Sequence, residues 1–213
     1  MGYQVYRMVV FSWLLLAALP ALAQVDIATS RGALDEQRLA AFVNSVEPYI
    51  KEWPPRFRDQ SQRAELLNSV ASAIKQLSKI DLSAIKKQQV LVDVAHLYAM
   101  AHNLDFNTAA QAKSTFEKAI AIDPNDRRTN YRYGMFLIST RAFHFESLPY
   151  LEKALELGEK DALFSIGLLQ IEKGNKEKGL AALERYLQEH PESQHTRKVI
   201  QAVKDGKLTF QQN

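Results

Sequence analysis

The residues best equipped for chemistry in this chain are its five histidines, since imidazole is the commonest general base and a frequent metal ligand. His96 and His102 stand six apart on one predicted helix and face different sides, so they cannot share an ion. His144, His190 and His195 fall near predicted helix ends, without an Asp or Glu at metal-ligand spacing. Their expected roles are structural or at the surface. A serine nucleophile has no support either: no Gly-x-Ser-x-Gly elbow occurs, and Ser165 sits within a helical run. Gly158 and Gly174-Asn175 read as turns between helices, because no strand precedes them to build a phosphate loop. Glu172, Glu177 and Glu184 alternate with lysines, as on a solvated helix surface. The absence of cysteine removes disulfides, thiolate metal sites and a thiol nucleophile together. The chain is expected to be no enzyme, with no catalytic residue, no metal and no cofactor.

What positions these residues begins with the amino terminus. Arg7 precedes an apolar run from Met8 to Leu19, Pro20 breaks it, and Ala21-Leu22-Ala23 offers a small-x-small cleavage pattern before Gln24. Residues 1–23 are therefore expected to be a signal peptide, making the protein periplasmic or secreted. Removing them from the 213 leaves 190 residues, enough for one domain with a sizeable core, and loss of Arg7 lowers the net charge from +3 to +2. Short pairs such as Lys86-Lys87 and Arg127-Arg128 are too dispersed to form a nucleic-acid face, so no nucleic acid is expected as partner. The sequence has no Asn-x-Ser/Thr acceptor, which fits a bacterial envelope.

The mature chain is helical throughout. Residues 24–33 read as a disordered lead-in. Leu39, Phe42, Val43 and Val46 then share a helix face; Leu67, Val70, Ile74 and Leu77 share a second; Val90, Val94, Leu97 and Ala101 share a third, running from about Ser83 to His102. Asp81 or Ser83 is expected to cap that third helix. Pro54-Pro55 ends the first, and Trp53 to Phe57 form an apolar corner. After this a pattern recurs: Ala112, Phe116, Ala119 and Ile120 are followed 35 residues on by Ser147, Leu151, Ala154 and Leu155, then 32 further on by Gly179, Leu183, Tyr186 and Leu187. Gly134 and Gly167 lie in the helices preceding the second and third copies, where a small residue lets two helices approach closely.

Over Gln88 to Glu192 the chain resembles the tetratricopeptide repeat family, on Gly134, Gly167, Gly174, Ala112, Ala119, Ala154, Pro124 and Pro191. It departs from the pattern in extra residues at 102–108, in Leu157-Gly158 without a proline, and in Tyr186. The resemblance implies an all-α, right-handed solenoid of helix pairs, each burying its apolar face against its neighbours. The expected organisation is an N-terminal helical cap or degenerate repeat at 34–82, about three repeats at 83–192, a capping helix at 193–206 and a flexible tail at 207–213. It also implies a concave groove for a protein or peptide partner. Its walls would be Arg128, Tyr131, Arg132, Met135 and Ile138, then Phe164, Leu168 and Ile171, with a basic edge at Arg127, Arg128 and Arg132 suited to carboxylates. The function implied is a non-catalytic interaction module in an envelope-associated assembly. The alternative is a structural subunit that self-assembles into a homo-oligomer through its solenoid ends.

Overall fold

The computed structural model describes residues 25–30, 32–51, 54–140 and 143–208. The signal segment, Trp53 and the last five residues lie outside them. Nine α-helices and two short 3-10 turns make up the described residues, with no strand among them.

Helix α1 (Glu36–Ile50) starts at Asp35, whose carboxylate accepts the Arg38 amide at 3.1 Å, and it buries Leu39, Phe42, Val43, Val46 and Ile50. Helix α2 (Gln60–Leu77) is capped in the same way by Asp59 on the Gln62 amide, at 2.8 Å. Its buried stripe is turned by one residue from the expected one: Leu66, Val70, Ala73 and Leu77 are inside, while Leu67 and Ile74 are half-buried. Helix α3 (Gln88–His102) begins five residues later than the periodicity suggests. Asp81 is committed elsewhere, accepting from the Ser83 amide and hydroxyl at 2.9 and 2.6 Å to cap the 3-10 turn Leu82–Ala84. No side chain caps α3.

From α3 onward the helices come in pairs: α3 with α4 (Ala109–Ile122), α5 (Arg127–Ser139) with α6 (Leu148–Glu156), and α7 (Ala162–Glu172) with α8 (Lys176–Glu189), followed by the single helix α9 (Gln194–Lys204). Each helix packs most closely on its own partner, and each pair on the next. The glycines explain how closely. A Cβ on Gly134 would stand 2.7 Å from Leu151 Cγ, and one on Gly167 2.7 Å from Leu183 Cγ. Both leucines belong to the recurring pattern. Gly158 and Gly174 end α6 and α7 at φ of 96° and 85°, where a side chain would be strained. Helix α9 turns Thr196, Ile200 and Val203 inward and leaves Lys198, Gln201 and Lys204 exposed, which closes the apolar end of the stack.

The interior has two main parts. One runs from Ile27 through α1–α5 to Leu137, around the fully buried Phe116 and Tyr133, whose rings stack at 5.2 Å. The other gathers Leu148, Leu151, Leu163, Ile166 and Leu169, with Tyr131 and Tyr186 packed at its edge.

One expectation for the N-terminal region is corrected. The lead-in is ordered over 25–30, because Ile27 is fully buried and Gln76 of α2 holds its backbone, accepting the Ile27 amide at 2.9 Å and donating to the Val25 carbonyl. At the described end of the corner at Trp53 to Phe57, Phe57 is half-buried against the first core. Helix α1, moreover, packs on α3 instead of crossing α2 closely as the paired helices do.

Candidate functional site: a cleft between three helices

Helices α1, α3 and α5 enclose a cleft of about 900 Å³. Three local features place α1 there. Its apolar face lies on the first core, Glu47 and Lys51 stand one turn apart at its end, and the buried Asn103 amide donates to the Ile50 carbonyl at 2.9 Å. That bond ties the end of α1 to the end of α3. Thr108 fixes the turn that follows by donating its hydroxyl to the Tyr98 carbonyl at 2.7 Å. The extra residues of the first repeat are thus a tied-down turn after α3, of which Asn103 lines the cleft.

Helix α5 supplies the facing wall with Arg127, Arg128, Tyr131, Arg132, Met135 and Ile138. The cap at its start is Asp126, which accepts the Thr129 amide at 2.7 Å. Met135 is 38% exposed, and its sulfur lies 3.5 Å from the Ser165 hydroxyl. Tyr131 is half-buried, and burial, with the charges of Asp161 and Glu159 next, pushes its phenol up to about 12.

A polar node joins the three helices. Glu47 Oε1 lies 3.3 Å from His96 Nε2 and 3.6 Å from the Arg132 guanidinium, so α1 reaches α5 across α3. His96 and Arg132 are 13% and 11% exposed. The His96 ring nitrogen is buried and, though close to the carboxylate, is not aligned with it as a hydrogen bond. The imidazole beside it, helped by Arg132 and Lys51, holds Glu47 down at about 2. Burial pushes His96 below its ordinary value, and Arg132 adds to this against the pull of Glu47 and Asp93. At neutral pH the node is therefore an ionised Glu47 beside a neutral imidazole, with the Arg132 guanidinium as its counter-charge. Arg127 Nε makes a separate contact, 3.5 Å from Glu159 Oε2.

The cleft brings together Arg128, Tyr131, Arg132, Met135 and Ile138 of the expected groove, with Arg127 at its edge. It does not bring in Phe164, Leu168 and Ile171. Phe164 packs on Tyr186 and His195, both rings 5.5 Å away; Ile171 sits over Gly179, so close that a Cβ there would be 2.3 Å from its Cγ1; Leu168 is half-buried in α7 outside the cleft. A helix so tightly crossed turns its aliphatic residues to its partner, and three of the eight expected wall residues are lost. In their place come residues that repeat spacing does not signal: Glu47, Lys51, His96, Met100 and Asn103.

The histidines find partners that sequence spacing does not signal. His96, His144 and His190 each meet a carboxylate from a distant part of the chain: Glu47 at 3.3 Å, Glu172 at 3.2 Å and Asp161 at 2.9 Å. No group of three or more His, Cys, Asp or Glu stands together to hold a metal ion among the described residues. No described helix is long and apolar enough to cross a membrane.

Comparison with known proteins agrees with this architecture. Residues 161–193, covering α7, α8 and the turn after them, match the family model of the tetratricopeptide repeat. No curated protein matches the chain. Two crystal structures of MamA share the fold. One superposes with a TM-score of 0.56 at 18% identity over 71% of this chain and 86% of that one; the other has a TM-score of 0.56 at 16% identity, over 79% and 84%. Residues 161–193 thus resemble a tetratricopeptide repeat, and the all-α fold around them is the one that the two MamA structures share.

Proposed function

We propose that this protein is an exported, non-catalytic interaction module that holds a segment of a partner protein in the cleft between α1, α3 and α5. Tetratricopeptide folds are protein–protein interaction scaffolds. The observation that carries the reading to this cleft is Met135, a large apolar side chain left exposed beside Tyr131 and Ile138 at the wall of a concavity. Apolar surface at the wall of a cleft marks a binding site more than apolar surface scattered singly does. The leader-like pattern of residues 1–23 supports placing the module in a bacterial envelope.

The test is site-specific photo-crosslinking from position 138 in cells, with and without Met135→Glu. The reading expects one heterologous adduct, lost in the variant, while the melting temperature of the purified protein stays within about 2 °C, as befits a surface change. An adduct that persists unchanged in the variant would place the partner elsewhere.

A further inference from the structure

The cations around the cleft fall into two kinds. Arg132 is nearly buried and committed to Glu47, and Arg127 faces Glu159. Arg128, exposed in the first turn of α5, and Lys51, exposed at the end of α1, make no ion pair with a described residue. They stand on opposite walls. The same cleft is lined by apolar surface from Met100, Met135 and Ile138, and methionine adapts its shape to irregular side chains.

The acidic residues of the lining are Glu47 and Glu159, and each already faces a cation. A basic segment entering the cleft would have to take one of them from its present partner and leave a guanidinium or the buried imidazole uncompensated. An acidic segment meets two cations that no described carboxylate contacts directly, Lys51 acting only at longer range on Glu47 and Arg128 on Asp93. Electrostatic complementarity of this sort sets which partner is admitted more than how tightly it is held.

The geometry points to an extended acidic segment as the occupant of the cleft, with one carboxylate on Arg128, a second on Lys51, and an apolar side chain between them on Met135 and Ile138. This rests on the cleft being the partner site. It also divides the basic edge: Arg127 and Arg132 shape the site, while Arg128 and the Lys51 of α1 do the recognising.

The experiment is selection of a random dodecapeptide phage library on the purified protein, followed by anisotropy titration of the best peptide. The expected result is enrichment of Asp or Glu flanking an apolar residue. Replacing those acids by Asn and Gln should weaken binding at least tenfold, and so should Lys51→Glu with Arg128→Glu, while Arg185→Glu on α8 changes nothing. Raising the salt should weaken it further, as surface charge pairs are screened. Basic or uncharged peptides whose binding depends on Met135 would overturn the acidic assignment and leave the cleft standing. Peptides indifferent to Met135→Glu, or no enrichment at all, would remove the cleft and this inference with it. The Asn and Gln peptides need no change in the protein, so a variant that misfolds does not blunt the test.

Discussion

Gly134 and Leu151 are in such close contact that the side chain of one occupies the space a Cβ on the other would need, 2.7 Å from Leu151 Cγ. Gly179 is tighter still: its Cβ would meet Ile171 Cγ1 at 2.3 Å and the Gly167 carbonyl oxygen at 2.6 Å. Alanine gains about 1 kcal/mol over glycine in a helix interior, and overpacking costs about 1–3 kcal/mol. At Gly134 the neighbour is mainly the buried Leu151 side chain, which must shift at its Cγ while the backbone stays 3.4 Å away, so Gly134→Ala is expected to cost about 1 kcal/mol. At Gly179 backbone blocks the way and the two helices must part, so Gly179→Ala should cost about 2 kcal/mol. Urea unfolding of both variants checks the order.

Stability should fall as the pH drops below neutrality, and His96 should be one cause. The folded protein disfavours its protonation while the unfolded chain does not, so the contribution is complete above the ordinary histidine value of about 6.5 and is lost as the pH falls towards the lower folded value. The groups facing it are Glu47 and Lys51 on α1, Asp93 on α3, and Arg128 and Arg132 on α5. Glu47, held at about 2, stays ionised across this window, and its own contribution is lost only below about 4.5. His96→Gln should flatten the dependence of melting temperature between pH 7.5 and 5.5. An unchanged slope would assign the effect to other groups.

Gln76 holds the segment before α1 by both a donated and an accepted hydrogen bond. Gln76→Ala leaves the buried Ile27 amide without its acceptor, at a cost of about 1–3 kcal/mol. The loss should be local: faster hydrogen exchange at Ile27, with α3 to α8 protected as before. Unaltered exchange at Ile27 would mean that its burial alone secures the segment.

The pattern of side chains along one helix was legible from spacing. Leu39, Phe42, Val43 and Val46 are buried together as expected, and Gly134 and Gly167 do mark close crossings. What spacing cannot state is which neighbour a face meets. Ile171 has the period of a groove residue but lies on Gly179, because the α7–α8 crossing is tighter than a single helix reveals. The contact of Glu47 with His96 and Arg132 joins residues 49 and 85 positions apart, and neither has a local pattern that announces it. Ile27 looked like part of a polar lead-in because the side chain that holds it, Gln76, lies one helix further on.

The interior is divided near residues 137–148, with Phe116 and Tyr133 on one side and Leu163, Ile166 and Leu169 on the other. In arrays of helix pairs, energetic coupling decays from neighbour to neighbour. The cleft draws its walls from α1, α3 and α5 with Glu159, and of these Tyr131 and Ile138 lean on the second block while Met135 meets Ser165 of α7. Helix pairs can therefore be gained or lost beyond the α7–α8 pair in the course of evolution with little disturbance to the recognition surface. The C-terminal end is free to vary in length while the cleft keeps its shape.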